Sequence, residues 1–177
     1  MEQLKLDPCK LVFIDETWAK TNMTRLYGRV VGGGRLVDSA PHGHWRTTTL
    51  MSSMRLDGAH TAMCIDGATD RTAFETYVDK VLLPTLRTGD ILVMDNLQAH
   101  KSPRAITRIE AKGAELWFLP PYSPDMNPIE MMFSKIKTLL RKAKARTVAT
   151  LDSAIAESLQ AVTTADIQGW FQKCGYR

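Results

Sequence analysis

The chain has only three cysteines in 177 residues, and Cys9, Cys64 and Cys174 stand far apart. That spacing excludes a CxxC zinc site and a disulfide framework, so a reducing compartment is expected. No apolar run reaches the roughly 20 residues that span a bilayer, and the opening MEQLKLDPCK lacks the basic start and apolar stretch of a signal peptide. A cytoplasmic protein without a membrane partner is expected. Repeats and low-complexity linkers are missing as well, so residues 1–177 are expected to form a single domain. Aromatic residues make up 7% of the chain, and Trp18, Trp45, Trp117 and Trp170 are expected mostly in the core. There is no acidic excess either. Lysine and arginine number 23 against 19 acidic residues, a net charge of +4 that permits a polyanionic partner.

Hydrophobic patterning supplies the fold class. KLVFIDETW reads as a buried strand from about residue 10 to 16, and TRLYGRVVGGGRL and TTTLMSSMRLDGAHTAMCIDG as further antiparallel strands between glycine-rich turns. Residues 70 to 86 change to helical spacing. ILVMDN is then almost wholly apolar, as a parallel strand covered on both faces should be. A helix from Ser102 to about Lys112, a strand at AELWFLP and helices to the end complete the order. The expected fold is α/β, a mixed five-stranded sheet of three antiparallel strands and then two parallel ones, flanked by helices. If the fourth strand lies beside the first, connectivity reverses there, and the crevice at the strands' carboxyl ends is the natural site.

Asp15 and Asp95 fall at those strand ends. LPPYSPDMNPIEMMFSKIK then places four prolines in nine positions ahead of an amphipathic helix. Locally, Asn127 reads as an N-cap, Pro128 as the first helical residue and Glu130 as the partner carboxylate of a capping box. A second reading joins Glu130 to Asp15 and Asp95. Three carboxylates together need a compensating cation, and oxygen-only ligands suit Mg²⁺ or Mn²⁺; a pair of such ions serves in-line displacement at phosphorus. Past the helix start, Lys135, Lys137, Arg141, Lys142, Lys144 and Arg146 crowd into twelve residues with no acidic residue among them. They are either a solvated face or a DNA phosphate contact.

FIDETW, ILVMDNLQAHK and LPPYSPDMNPIEMMFSKIK, in that order and with 34 residues between Asp95 and Glu130, closely resemble the DDE transposases of the mariner superfamily, in particular their bacterial insertion-sequence branch. The resemblance implies a ribonuclease H-like fold, with Asp15, Asp95 and Glu130 as catalytic residues holding two Mg²⁺ or Mn²⁺ ions. The implied activity is cut-and-paste transposition, in which DNA strand cleavage is followed by strand transfer to a TA target. The prolines would then fix the loop that aims Glu130. Asn96 and His100 resemble family positions beside the second carboxylate, and with Asn127 they are expected to support the site.

Glu16 is set aside because pleating turns it to the opposite face from Asp15, and Asp66 because it has no family counterpart. His42 and His44 lack further ligands at metal spacing and are taken as loop residues. The implied partners are transposon-end and target DNA and a second copy of the chain. Family members carry helix-turn-helix modules ahead of this domain. None is expected here, so an upstream-frame partner or fusion would supply end recognition. Two other readings stay open: a host nuclease or resolvase of the same fold, and an inactive domesticated DNA-binding remnant.

Overall fold

The computed structural model describes residues 6–96, 101–121 and 123–177. Five strands, β1 (Leu11–Lys20), β2 (Thr47–Arg55), β3 (His60–Asp66), β4 (Ile91–Met94) and β5 (Glu115–Phe118), form one sheet in the order β3-β2-β1-β4-β5. β1 pairs antiparallel with β2, and β2 with β3. β4 runs parallel to β1 and β5 parallel to β4. The helices are α1 (Arg71–Tyr77), prolonged by a π-turn at Val78–Leu82 and a 3₁₀ turn at Leu83–Thr85, then α2 (Pro103–Glu110), α3 (Ile129–Ala143), α4 (Val148–Gln160) and α5 (Thr164–Lys173).

Two sequence expectations change here. The first strand runs four residues past Glu16, because β2 continues to pair with it after β4 has ended. The stretch at 24–36, expected as a strand, is instead an exposed irregular segment with a 3₁₀ turn at Val31–Gly33. Gly32 and Gly33 there hold φ values of 80° and 72°, outside any strand conformation. The third antiparallel strand comes from residues 47–67, which fold back on themselves through Gly58, at φ 95°.

Alternation along β1 builds a core on each face of the sheet. Leu11 and Phe13 join Ile129, Phe133, Ile136 and Phe171 under α3, α4 and α5, whereas Val12 and Ile14 pack with Phe74, Tyr77, Leu82 and Ile109 under α1 and α2. Each helix start has a side-chain cap except α3. Asp70, Ser102, Thr147 and Thr163 accept hydrogen bonds from backbone N–H groups of the following turn. Away from the β4 carboxyl end, Arg55 on β2 and Asp90 ahead of β4 form a buried ion pair, 4% and 3% exposed. Arg55 Nη1 donates to Asp90 Oδ1 at 2.9 Å, and the N–H of Arg87 donates to Oδ2 at 2.6 Å.

Lys135 of α3 reaches across to α5, where its ammonium donates to Asp166 Oδ2; the hydroxyl and N–H of Thr163 donate to the same oxygen at 2.7 and 2.9 Å. The Lys135 hydrogen bond, followed by those from Thr163, lowers the Asp166 pKa from its usual 3.8 to about 2. The carboxylate's folded pKa is depressed, so its contribution is complete above the unfolded value and is lost as pH falls through about 2. Asp166→Asn should therefore be less stable than the parent protein at roughly pH 5. The gap should close on acidification toward pH 2, as read from urea melts across that range.

Candidate active site

The alternation that builds the core also aims the acids. Asp15 shares the face of Leu11 and Phe13, the side covered by α3, and it is 8% exposed. Val93 of β4 lies on that face too. β1 and β4 pair from Leu11↔Ile91 to Phe13↔Val93. Two further steps at the same register bring Asp95 level with Asp15, just past the end of β4. Glu130 lies in the first turn of α3, whose buried side is Ile129, Met132, Phe133, Ile136 and Leu140.

The three carboxylates line one cleft of about 640 Å³, closed by Leu119, Pro120, Pro121 and Pro124. Glu16 and Asn96 reach its rim. Among the described residues, no three histidine, cysteine or acidic side chains stand close enough to hold an ion as they are.

The proline segment is arranged differently from the expected cap. Pro124–Met126 form a 3₁₀ turn, Pro128 caps α3 without a side-chain hydrogen bond, and the N–H of Glu130 donates to the Asn127 carbonyl at 3.2 Å. No capping box forms. The Asn127 side chain turns instead into the protein, where its Nδ2 donates to Asp15 Oδ2 at 2.8 Å. The reason is energetic: a buried carboxylate needs hydrogen-bond donors, and a charge-assisted bond to it outweighs a neutral cap bond. The second oxygen, Asp15 Oδ1, accepts from the N–H of Glu16 at 2.7 Å. Asn127 is itself buried, and its Oδ1 has no partner among the described residues. The Tyr176 hydroxyl holds the loop from behind, donating to the Met126 carbonyl at 2.8 Å.

Asn127→Ala would strip Asp15 of a donor that water cannot readily replace, at a cost of about 1–3 kcal/mol. Asn127→Asp should cost more at neutral pH, because it sets a second carboxylate against Asp15, and the excess should shrink as the pair takes up a proton on acidification. Thermal melts of both variants over a pH series test this.

The six basic residues of the α3 region divide. Lys135 is engaged by Asp166, and Lys144, which ends α3 in a left-handed conformation (φ 51°), pairs with Asp38 at 2.7 Å. Arg146 donates to the carbonyls of Thr21 and Met23 at 3.2 and 2.9 Å and so pins the turn beyond β1. Lys137, Arg141 and Lys142 line open grooves along α3. Burial lowers the Lys137 pKa, and the nearby charge of Arg141 adds to that shift while those of Glu130 and Asp15 oppose it.

The tryptophans correct the expectation of core positions, since none is buried. Trp18 and Trp45 are 58% and 50% exposed: Trp18 lies on the part of β1 that runs past the end of β4, and Trp45 lies in the exposed loop ahead of β2. Lys20 lies over both rings, at 5.1 and 5.5 Å from their centroids, and Lys137 lies 5.3 Å from that of Trp18. This basic, aromatic corner escaped the sequence reading, although the alternation of Trp18 and Lys20 on one strand face marks it. His42 and His44 lie in the exposed loop, and Asp66 ends β3 at the far edge of the sheet. His100 lies outside the described residues.

No curated protein matches the chain. Several solved structures share its fold. The "Mos1 Strand Transfer Complex" superposes with a TM-score of 0.73 at 18% identity, covering 94% of this chain and 52% of that one. A "pre-cleavage Mos1 transpososome" gives 0.75 at 14% identity, with 94% and 53% covered. The "catalytic domain of Mos1 mariner transposase" gives 0.67 at 15% identity, with 94% and 77% covered. The present chain thus spans about half the length of the first two. At these identities the likeness is one of fold, and it agrees with the ribonuclease H-like sheet order β3-β2-β1-β4-β5. The family described as DDE superfamily endonuclease matches residues 10–152, and with most of its length inside that match the chain belongs to this family.

Proposed function

We propose that this chain is the catalytic domain of a cut-and-paste DNA transposase of mariner type, from the bacterial insertion-sequence branch. It would act with a separate or fused DNA-recognition module and as a pair of copies on paired DNA ends. The observation that carries the reading is the meeting of Asp15, Asp95 and Glu130 on one cleft in a member of the DDE endonuclease family.

The donor set fits a hard divalent cation. It consists of oxygen atoms alone, and the buried Asn127 Oδ1 without a protein partner adds one more beside Asp15. Asp15, Asp95 and Glu130 are the residues that would hold it. A pair of Mg²⁺ or Mn²⁺ ions would supply Lewis-acid stabilisation to the attacking and leaving oxygens of a displacement at phosphorus.

The protein's own part is positional. Asn127 fixes the Asp15 carboxylate, and the proline loop, tied down by Tyr176, sets the start of α3 and with it Glu130. Lys137 lines a groove that shares Trp18 with the cleft and would offer a charge to the phosphate backbone there. Water would cut one strand to leave a 3′-hydroxyl, and that hydroxyl would then attack a phosphodiester of target DNA at a TA step. Bond breaking and bond making balance in each step, so neither needs an external energy source.

The test is nicking of plasmid DNA with Mg²⁺ or Mn²⁺, followed by joining of a pre-nicked oligonucleotide to a second duplex. Nicking with joining supports the proposal. Cutting of four-way junctions without joining would favour a resolvase, and DNA binding without either reaction would favour a domesticated remnant.

A further inference from the structure

The two edges of the sheet differ in kind. An open edge offers unpaired N–H and C=O groups to any other strand, and proteins blunt it with short strands, prolines, lysines or bulges. β5 follows that pattern: it is four residues long, begins on Glu115 and is followed closely by Pro120 and Pro121. β3 does not. Its seven residues, HTAMCID, contain no proline, lysine or arginine, and their register with β2 is unbroken from Met54↔His60 to Thr48↔Asp66.

The phase of that ladder decides which backbone groups are open. At its two ends the N–H of Gly67 donates to the Thr47 carbonyl at 3.0 Å and the N–H of Arg55 to the Ala59 carbonyl at 2.9 Å. In an antiparallel pair every second residue is bonded to the neighbouring strand. Thr61, Met63 and Ile65 therefore direct their backbone groups to β2, while His60, Ala62, Cys64 and Asp66 turn theirs outward. Among the described residues no backbone hydrogen bond reaches those outward groups. The side chains follow the pleat: Met63 and Ile65 pack with the α1 core, Ala62 packs on the opposite face, and Cys64 and Asp66 are exposed.

The ends of the strand select the occupant. HTAMCID carries an imidazole at one end and a carboxylate at the other. Laid antiparallel on itself about Met63, it sets His60 against the partner's Asp66 at both ends, a donor against an acceptor and opposite charges once the ring is protonated. Ala62 then faces the partner's Cys64, so outward backbone groups meet outward backbone groups. Met63 meets the partner's Met63 in the non-hydrogen-bonded position. A slip of one residue would set bonded groups against open ones, and a slip of two would part the imidazole from the carboxylate.

We propose that a second copy of this chain pairs antiparallel along β3, about a two-fold axis at Met63, joining the two sheets into one. The inference deepens the function proposed above, from which it takes only the need for two copies, and it names the surface by which they meet. Asp15 is level with Ser52, and Ser52 with Ala62, so it lies close to the level of the axis. The axis stands normal to the sheet and leaves both acidic clefts on the same face. They are separated across the strands by five strand spacings, about 24 Å. Both clefts thus face the same bound DNA.

The test is disulfide trapping of the full chain, without DNA or metal, in a Cys9→Ser, Cys64→Ser background. Met63→Cys should yield a covalent dimer on mild oxidation. Opposed residues of a non-hydrogen-bonded pair have Cα atoms about 4.5 Å apart, within the about 4.4–6.8 Å of a disulfide. Ile65→Cys should not be trapped, because its counterpart lies four residues away along the strands, about 14 Å. Sedimentation equilibrium, with melts to show that each variant folds, supplies the second readout. Cys64→Pro removes an outward N–H without touching the β2 ladder and should weaken the dimer about tenfold or more. His60→Glu should weaken it likewise by opposing two carboxylates, and adding Asp66→Lys should restore it.

Failure to trap Met63→Cys, equal trapping through Ile65→Cys, or dimerisation indifferent to both Cys64→Pro and His60→Glu overturns the interface. The two proposals separate cleanly. Nicking and joining by a chain that is not trapped sinks this interface alone, whereas a trapped dimer that neither nicks nor joins keeps the interface and sinks the proposed reaction.

Discussion

Asp95→Asn or Glu130→Gln is expected to lower metal-dependent nicking about 10³-fold or more while leaving the melting temperature close to that of the parent. The expectation follows from the arrangement of the cleft. Both substitutions preserve side-chain shape and remove one negative charge from a site that gathers three carboxylates around one cavity. Transition-state stabilisation by a bound divalent ion amounts to several kcal/mol, and each 1.36 kcal/mol is roughly a factor of ten in rate. Glu130 is exposed and Asp95 half-buried, so neither anchors the core. Initial nicking rates with Mg²⁺ and Mn²⁺, measured beside melts of each variant, decide the matter. Either variant retaining parental activity would remove that carboxylate from the chemistry. Asp15→Asn is a poorer test, because Asp15 is buried against Asn127 and its loss would mix folding with catalysis.

The largest stability effect should come from Arg55. Its partner Asp90 lies 3% exposed, and removing the guanidinium leaves an uncompensated buried charge. Breaking such a pair from one side costs about 3–5 kcal/mol. For a chain of this size that corresponds to a melting temperature lower by roughly 6–20 °C. Arg55→Met should show this loss. The double variant Arg55→Met, Asp90→Leu should recover much of it, since an apolar pair of similar volume avoids the desolvation of both ions. The N–H of Arg87, which now donates to Asp90, would still need a partner, so recovery should stop short of the parent value. Differential scanning calorimetry of the single and double variants measures both changes. A single variant as stable as the parent would show that the pair contributes nothing.

The sheet and its crossover were legible in the sequence because apolar spacing is a direct record of burial. ILVMDN reads as a strand covered on both faces, and in the structure Val93 packs into one core while Leu92 and Met94 pack into the other. The acids were legible for the same reason. Pleating decides which side of β1 Asp15 faces, and helical periodicity fixes which turn of α3 carries Glu130.

Three features were not legible, each for a physical reason. The segment from Thr24 to Leu36 has strand-like residues, yet no strand among the described residues pairs with it, and propensity alone does not create a partner. Asn127 has the spacing of a helix cap, but the demand of a buried carboxylate 112 residues earlier in the chain outweighs a local bond. Trp18 looks like core by composition, yet it lies on the part of β1 that β4 does not pair with and is exposed.

The family match stops at residue 152, yet Phe171 and Tyr176 ring Phe13 with centroids 5.3 and 5.1 Å away, and Tyr176 also buttresses the backbone just ahead of Asn127. A fragment trimmed to the homologous boundary would therefore unroof β1 beneath its acidic residue, and it would release the proline-rich loop ahead of α3 at the same stroke. Any shortened form of the nuclease core should keep α5 and the tyrosine beyond it.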